Sequence, residues 1–137
     1  MAMAELDDAR YILLTTFKRV GTAVSSPVWI TGRAGTYMFT TGDRAGKTRR
    51  LLNNPAVQVQ VCGMRGGIRP GSTLYRGSGE VLTTADAVRT VEAALGAKYG
   101  WQFRATKLVD RLNSRFGRGE PQRVVAIRLV LPDAGSV

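Results

Sequence analysis

Apolar residues alternate with polar ones along most of the chain, and that period of two predicts strands. Val57, Val59 and Val61 face one way and Gln58 and Gln60 the other, the clearest strand pattern present. Tyr11–Phe17 reads as a β-branched strand after a short amphipathic helix over Glu5–Arg10, with Lys18–Gly21 as its turn. Thr22–Thr31 is expected as a second strand, and Gly32-Arg33-Ala34-Gly35 as a hairpin into Thr36–Thr41. There Tyr37 and Phe39 share one face and Met38 and Thr40 the other, giving a three-stranded meander. Thr73–Leu82 continues the pattern with Gly77 and Gly79 inside it, a sign of a bulge or a close approach. The last strand alternates through Val125, Ile127, Leu129 and Leu131.

Beyond Glu5–Arg10, the period lengthens to that of a helix in three places. Gly46–Asn54 stops before Pro55, which cannot continue a helix. Thr83 and Asp86 stand at capping-box spacing ahead of a helix that carries Val88, Val91, Leu95 and Tyr99 on one side. Gly100 interrupts it, and a further helix over about Trp101–Phe116 leads through Gly117–Pro121 to the last strand. Six mostly antiparallel strands with inserted helices predict a mainly β fold, a small closed or split barrel. No linker or repeat divides the 137 residues, so 1–137 is expected to be one domain.

Charge narrows the function. Twenty Lys and Arg against ten Asp and Glu give +10, which calls for an anionic partner: a nucleic acid, a membrane, or a phosphorylated or polycarboxylate small molecule. Histidine is absent and Cys62 is the only cysteine, which excludes an internal disulfide, a Cys/His zinc site and the histidine-dependent nucleophile arrangements. Chemistry by side chains alone is therefore not expected. The acidic Met1–Asp8 start and the lack of an apolar run near the ~18 residues of a bilayer span lead us to expect a soluble cytoplasmic protein with no membrane partner.

Gly42-Asp43-Arg44-Ala45-Gly46-Lys47-Thr48 looks like a P-loop but has one residue too few between its glycines, and the following strand ends at Cys62 where a magnesium-holding Asp would be needed. A nucleotide triphosphatase is rejected. The anion physics survives, because the start of the Gly46 helix, with Arg44, Lys47, Arg49 and Arg50 about it, is a place where charge-assisted hydrogen bonds would hold a phosphate. A solvated basic helix is the plain alternative. On the helix after Trp101, Arg104, Lys107, Arg111 and Arg115 form a band beside Trp101, Ala105, Leu108 and Leu112, with Asp110 pointing elsewhere. Such a band either flanks a buried face with its stems or meets an anion, and no aromatic run marks it for nucleic acid. Pro27-Val28-Trp29 is expected to end a strand opposite Thr40-Thr41-Gly42, where Trp29 is either core or an apolar shelf for a flat ring.

These residues also carry a resemblance. Leu14-Thr15-Thr16-Phe17, Gly21-Thr22, Pro27-Val28-Trp29, Tyr37-Met38-Phe39-Thr40-Thr41-Gly42, Gly46-Lys47, Leu51 and Asn54-Pro55 resemble the pyridoxamine 5'-phosphate oxidase-like split β-barrel superfamily. With Lys98-Tyr99-Gly100-Trp101, the chain is similar more narrowly to the deazaflavin (coenzyme F-420) dependent reductases. The resemblance implies a six-stranded antiparallel split β-barrel, homodimeric, with two cofactor sites at the subunit interface. It implies that Pro27, Val28 and Trp29 border the ring and that Thr40, Thr41 and Gly42 meet its polar edge or ribityl chain. Arg44, Lys47, Thr48 and Arg50 would hold the phosphate, with Arg49 either helping or facing solvent. Val20 and Ala23 stand where the family often has an acidic residue and a proline.

The function implied is hydride transfer between the reduced deazaflavin, an 8-hydroxy-5-deazaflavin, and a conjugated small organic substrate. The excess of positive charge favours that cofactor over FMN, because its tail adds glutamate carboxylates beyond the phosphate. No catalytic residue is singled out, although Tyr37, Tyr75 and Tyr99 are chemically able to donate a proton. The competing readings are an FMN-dependent oxidase or reductase of the same fold, a noncatalytic carrier of a cofactor or tetrapyrrole, and, more remotely, a nucleic-acid binder.

Overall fold

The computed structural model describes residues 4–105 and 123–132. The predicted turn Gly117–Pro121 and the larger part of the predicted Trp101–Phe116 helix, with Lys107, Asp110, Arg111 and Arg115, lie outside them; residues 101–105 are helical.

The elements run α1 (Ala4–Asp7), β1 (Ile12–Phe17), β2 (Ala23–Val28), β3 (Thr31–Arg33), β4 (Thr36–Gly42), α2 (Gly46–Asn53), β5 (Ala56–Val61), β6 (Tyr75–Leu82), α3 (Ala85–Tyr99) and β7 (Val124–Val130). All strand pairs are antiparallel, in one seven-stranded sheet of order β2-β1-β5-β6-β7-β4-β3. Its two edge strands, β2 and β3, are consecutive in the chain and joined by Trp29 and Ile30 alone. The sheet must therefore curl until its edges nearly meet.

That closure corrects two expectations. The predicted second strand is two strands, because the chain turns from one edge of the sheet to the other at Trp29-Ile30; the six expected strands become seven. The meander fails for the same reason. β2 pairs with β1, with Pro27 opposite Leu13 and Val28 opposite Ile12, whereas Thr40, Thr41 and Gly42 lie opposite Ala126, Val125 and Val124 of β7. Pro27-Val28-Trp29 is thus not across a ladder from Thr40-Thr41-Gly42. The hairpin itself holds, as a turn at Ala34-Gly35 with φ of 58° and 94°. Positive φ at both central positions matches the twist of the flanking strands.

The core fills the curl. Ile12, Leu14, Tyr37, Phe39, Val57, Val59, Val61, Tyr75, Ile127 and Leu129 are buried in one cluster, each large side chain contributing ~1.5–3 kcal/mol on burial. At one end α1 closes it: Leu6 is fully buried, Asp7 accepts from the Tyr37 hydroxyl at 2.6 Å, and Glu5 accepts from the Tyr75 hydroxyl at 2.9 Å. On the outside, Val91, Leu95 and Tyr99 of α3 cover Ala126, with Trp29, Met38 and Leu82 packed against them.

α3 begins one residue later than the capping-box reading placed it. Thr84, not Thr83, is the N-cap, and its hydroxyl accepts from the Ala87 amide at 3.2 Å. Asp86 pairs instead with Arg89 on the exposed surface. Thr84→Ala should remove about 1 kcal/mol of unfolding free energy, while Thr83→Ala should stay within ~0.5 kcal/mol of the parent; denaturant titration separates the two.

Candidate functional site

Four strands and a short helix build the basic site. β4 ends at Gly42, and the next residues form a tight turn in which Gly42 accepts from the Ala45 amide at 3.1 Å. Asp43 ties this turn to the start of β7: its amide donates to the Arg123 carbonyl at 2.8 Å and its carboxylate accepts from the Arg123 amide at 3.2 Å. α2 starts immediately after. Its N-cap, Ala45, has extended backbone angles (φ −62°, ψ 148°) and offers no side-chain oxygen, and the first turn holds no acidic residue. The first-turn amides of Gly46, Lys47 and Thr48 therefore meet neither a side-chain cap nor a carboxylate of their own turn, and the positive end of the helix dipole is not neutralised there.

The cations divide by burial. Arg44 and Arg49 are exposed, whereas Lys47 and Arg50 are half-buried. The Lys47 ammonium is pushed below the ordinary lysine range, first by burial and then by the like charge of Arg50. Arg50 reaches back along the helix, and its Nε donates to Thr16 Oγ1 of β1 at 2.6 Å. Thr48 is buried, and its hydroxyl donates to the Gly42 carbonyl at 2.7 Å, so its side chain fastens the turn to the helix. Leu51, also buried, seats α2 on β6 at Gly79, where a Cβ would stand 2.9 Å from a Leu51 methyl. Thr16 and Asp43 are the participants that sequence reasoning missed. Thr16 is part of a motif already singled out, but only the barrel curvature puts it beside Arg50.

Of the other sequence-predicted residues, Thr40, Thr41 and Gly42 lead directly into this turn and are half-buried. Trp29 belongs to a different group. Its indole stacks on the Tyr99 ring (centroids 4.5 Å apart, 8° between planes) and meets the edge of Tyr11 at 6.4 Å. One indole face is thus occupied by the protein's own α3. Lys98 and Tyr99 hold that junction. The Lys98 ammonium donates to the carbonyls of Ala9 and Ile30 at 2.8 and 2.9 Å, and the Tyr99 hydroxyl donates to the Arg10 carbonyl at 2.8 Å while accepting from the Ile30 amide at 3.2 Å. Lys98 and Arg10 also lie over the Tyr99 ring.

The three tyrosines are poor acids here. Burial and the Glu5 carboxylate push Tyr75 up to about 12; burial and Asp7 raise Tyr37, and burial raises Tyr99. Each proton is already given to a carboxylate or a main-chain carbonyl. Cys62 is buried, and its thiol is raised for that reason. No described helix is long and apolar enough to cross a membrane.

The family model for pyridoxamine 5'-phosphate oxidase matches residues 2–128. The chain belongs to that family. Among solved structures, the following share the fold at low sequence identity. An F-420 reductase is 19% identical with a TM-score of 0.62, the match covering 96% of this chain and 94% of that one. The heme storage protein HutZ of Vibrio cholerae is 15% identical at a TM-score of 0.65, with 91% and 83% covered. A conserved hypothetical protein of Mycobacterium tuberculosis is 17% identical at 0.66, with 92% and 75% covered. No curated protein matches the sequence. The mainly β, antiparallel architecture expected from the alternation pattern is therefore that of the family, and solved structures with the same fold include an F-420 reductase and a heme storage protein.

Proposed function

We propose that this chain is a cytoplasmic homodimeric oxidoreductase that binds reduced coenzyme F-420 and passes a hydride to a conjugated small organic substrate. The observation that carries this reading is the start of α2, a helix N-terminus with no side-chain cap, no acidic residue in its first turn, and Lys47 and Arg50 half-buried beside it. The donor set fits a phosphate-bearing group: main-chain amides, an ammonium and a guanidinium are what a phosphate oxygen accepts from. The net charge of +10 adds long-range attraction for a cofactor whose tail carries carboxylates as well.

The bound deazaflavin would supply the reactive carbon and the hydride. The protein's part is to bind and orient. Lys47, Arg50 and the first-turn amides would hold the phosphate, while Thr48 fastens the turn before them by donating to the Gly42 carbonyl. Asp43 fixes the same turn to β7. Arg44 and Arg49, both exposed, would meet the outer carboxylates. Thr40 and Thr41, on the strand that leads to the turn, would offer hydroxyls to the ribityl chain. Pro27 and Val28 would border the ring beside the Trp29–Tyr99 stack, which leaves Trp29 one face at most for it.

The test is a fluorescence titration of purified protein with F-420 and with FMN at moderate salt, followed by mixing the reduced F-420 complex with a panel of enone and quinone acceptors. F-420 is expected to bind more tightly than FMN and to be reoxidised by at least one acceptor. Tighter binding of FMN would transfer the reading to a flavin enzyme of the same fold. Binding without oxidation by any acceptor would make the protein a carrier, and light scattering that shows a cofactor-loaded monomer would overturn the dimer.

A further inference from the structure

Arg50 is aimed, not merely present. Helical side chains lean toward the N-terminus, so a residue one turn after Gly46 lies back over the first turn of α2. There its Nε is bound to the buried Thr16 hydroxyl at 2.6 Å, which fixes the plane of the guanidinium and leaves its terminal nitrogens for another partner. Those nitrogens occupy the space in which any other residue at position 46 would carry its side chain. A Cβ on Gly46 would stand 2.7 Å from Arg50 Nη1 and 3.5 Å from both Cζ and Nη2.

The placement runs against the protein's own electrostatics. A helix N-terminus is the positive end of the dipole and favours anions, yet here a guanidinium is folded onto it beside a half-buried ammonium that it repels. The first turn of α2 contributes no carboxylate to balance them. Two cations held at the positive end of a dipole destabilise the unliganded chain and stabilise it once an anion sits between them.

We propose that Thr16 and Gly46 are positioning residues for Arg50, Thr16 by holding its Nε and Gly46 by lacking a side chain, so that Arg50 and Lys47 close on one phosphate from two sides. The proposal rests on the reading that the α2 mouth takes the cofactor phosphate. It also predicts that arginine at position 50 is not interchangeable with lysine. A lysine offers its three donors from a single rotating nitrogen, whereas the guanidinium holds Thr16 through Nε and presents its terminal nitrogens to an anion from a separate, fixed position.

The experiment measures binding of F-420 and of FMN, and thermal melting, for the parent and for Lys47→Ala, Thr16→Val, Gly46→Ala, Arg50→Lys and the Thr16→Val/Arg50→Lys double variant. Thr16→Val and Gly46→Ala should each weaken binding about five- to tenfold, the size of one lost hydrogen bond of an orienting kind. Gly46→Ala should melt no lower than the parent, since alanine is the better helix former and the atom it meets is the free end of a long side chain. A purely structural role would not lower affinity while stability is kept. The double variant should bind no more weakly than Arg50→Lys alone, because both changes break the same link. Parent-like affinity in Gly46→Ala and Thr16→Val, with binding lost in Lys47→Ala, would overturn the positioning role and leave the phosphate reading intact. Failure of the parent to bind either cofactor would instead overturn the function from which it starts. If Thr16→Val melts well below the parent, Gly46→Ala decides alone.

Discussion

Lys47→Ala should weaken cofactor binding by ~1.5–3 kcal/mol, the scale of a hydrogen bond to a charged group, or roughly ten- to a hundredfold in Kd. The expected loss is large because the ammonium is half-buried, and in that setting its attraction for an anion is screened less than at the surface. A pH series gives an independent reading. Burial and Arg50 hold the Lys47 pKa below its usual 10.5, so the parent's affinity is complete at neutral pH and falls as pH rises through that lowered value, earlier than an ordinary lysine would allow. Lys47→Ala should lose this limb of the profile. Stability moves in the opposite sense. Between the lowered value and the unfolded one the native chain has released a proton that the unfolded chain keeps, so Lys47 makes the apo protein more stable as pH rises through that window. Unchanged affinity in Lys47→Ala, measured by titration at neutral pH, would remove Lys47 from the site.

What the sequence made legible is what is local. Val57, Val59 and Val61 are buried with Gln58 and Gln60 half-exposed, because a single strand decides its own alternation. The face of α3 was equally readable, since Val91, Leu95 and Tyr99 meet the sheet at helical spacing. Partnership between strands was not. Thr22–Thr31 is one extended run by composition, and only the closing of the sheet decides that its first half pairs with β1 and its last residues with β4. The same long-range decision removes Pro27-Val28-Trp29 from the ladder that carries Thr40-Thr41-Gly42, and takes one face of the Trp29 indole for Tyr99.

The candidate site divides along the same line. The basic start of α2 could be read from Gly46-Lys47-Thr48 and the arginines around it, because helix termini are local features. The inward role of Thr48 was hidden, as it depends on where the Gly42 carbonyl ends up. So was the link from Arg50 to Thr16, which joins residues far apart in the chain. Lys98 and Tyr99 illustrate the remaining case: helical spacing shows that they end α3, but not that their polar atoms fasten the turn at Ile30, on which the closure of the barrel depends.

Gly77→Ala should be among the most damaging small substitutions at the described residues, at about 3 kcal/mol or more, the upper range for forcing extra atoms into a packed site. β6 pairs with β5 through Tyr75–Ser78 and with β7 through Ser78–Leu82, so it hands over from one neighbour to the other at Gly77-Ser78-Gly79. Such a corner brings backbones close, and glycine is what permits it. A Cβ at position 77 would stand 2.1 Å from the Val130 carbonyl oxygen and 3.0 Å from Leu131 Cα, both main-chain atoms that cannot swing aside as a side chain would. Gly79 offers the contrast. The nearest atoms to its Cβ would be methyl groups of Leu51 and Val57, at 2.9–3.3 Å, so Gly79→Ala should cost less but displace α2 outward and weaken cofactor binding with it. Denaturant unfolding and cofactor titration of the two variants therefore should rank in opposite order relative to their cost. Gly77→Ala loses stability far more than the affinity of the molecules that remain folded, and Gly79→Ala loses affinity at modest loss of stability. A Gly77→Ala protein as stable as the parent would mean that β6 does not pass β7 at that corner.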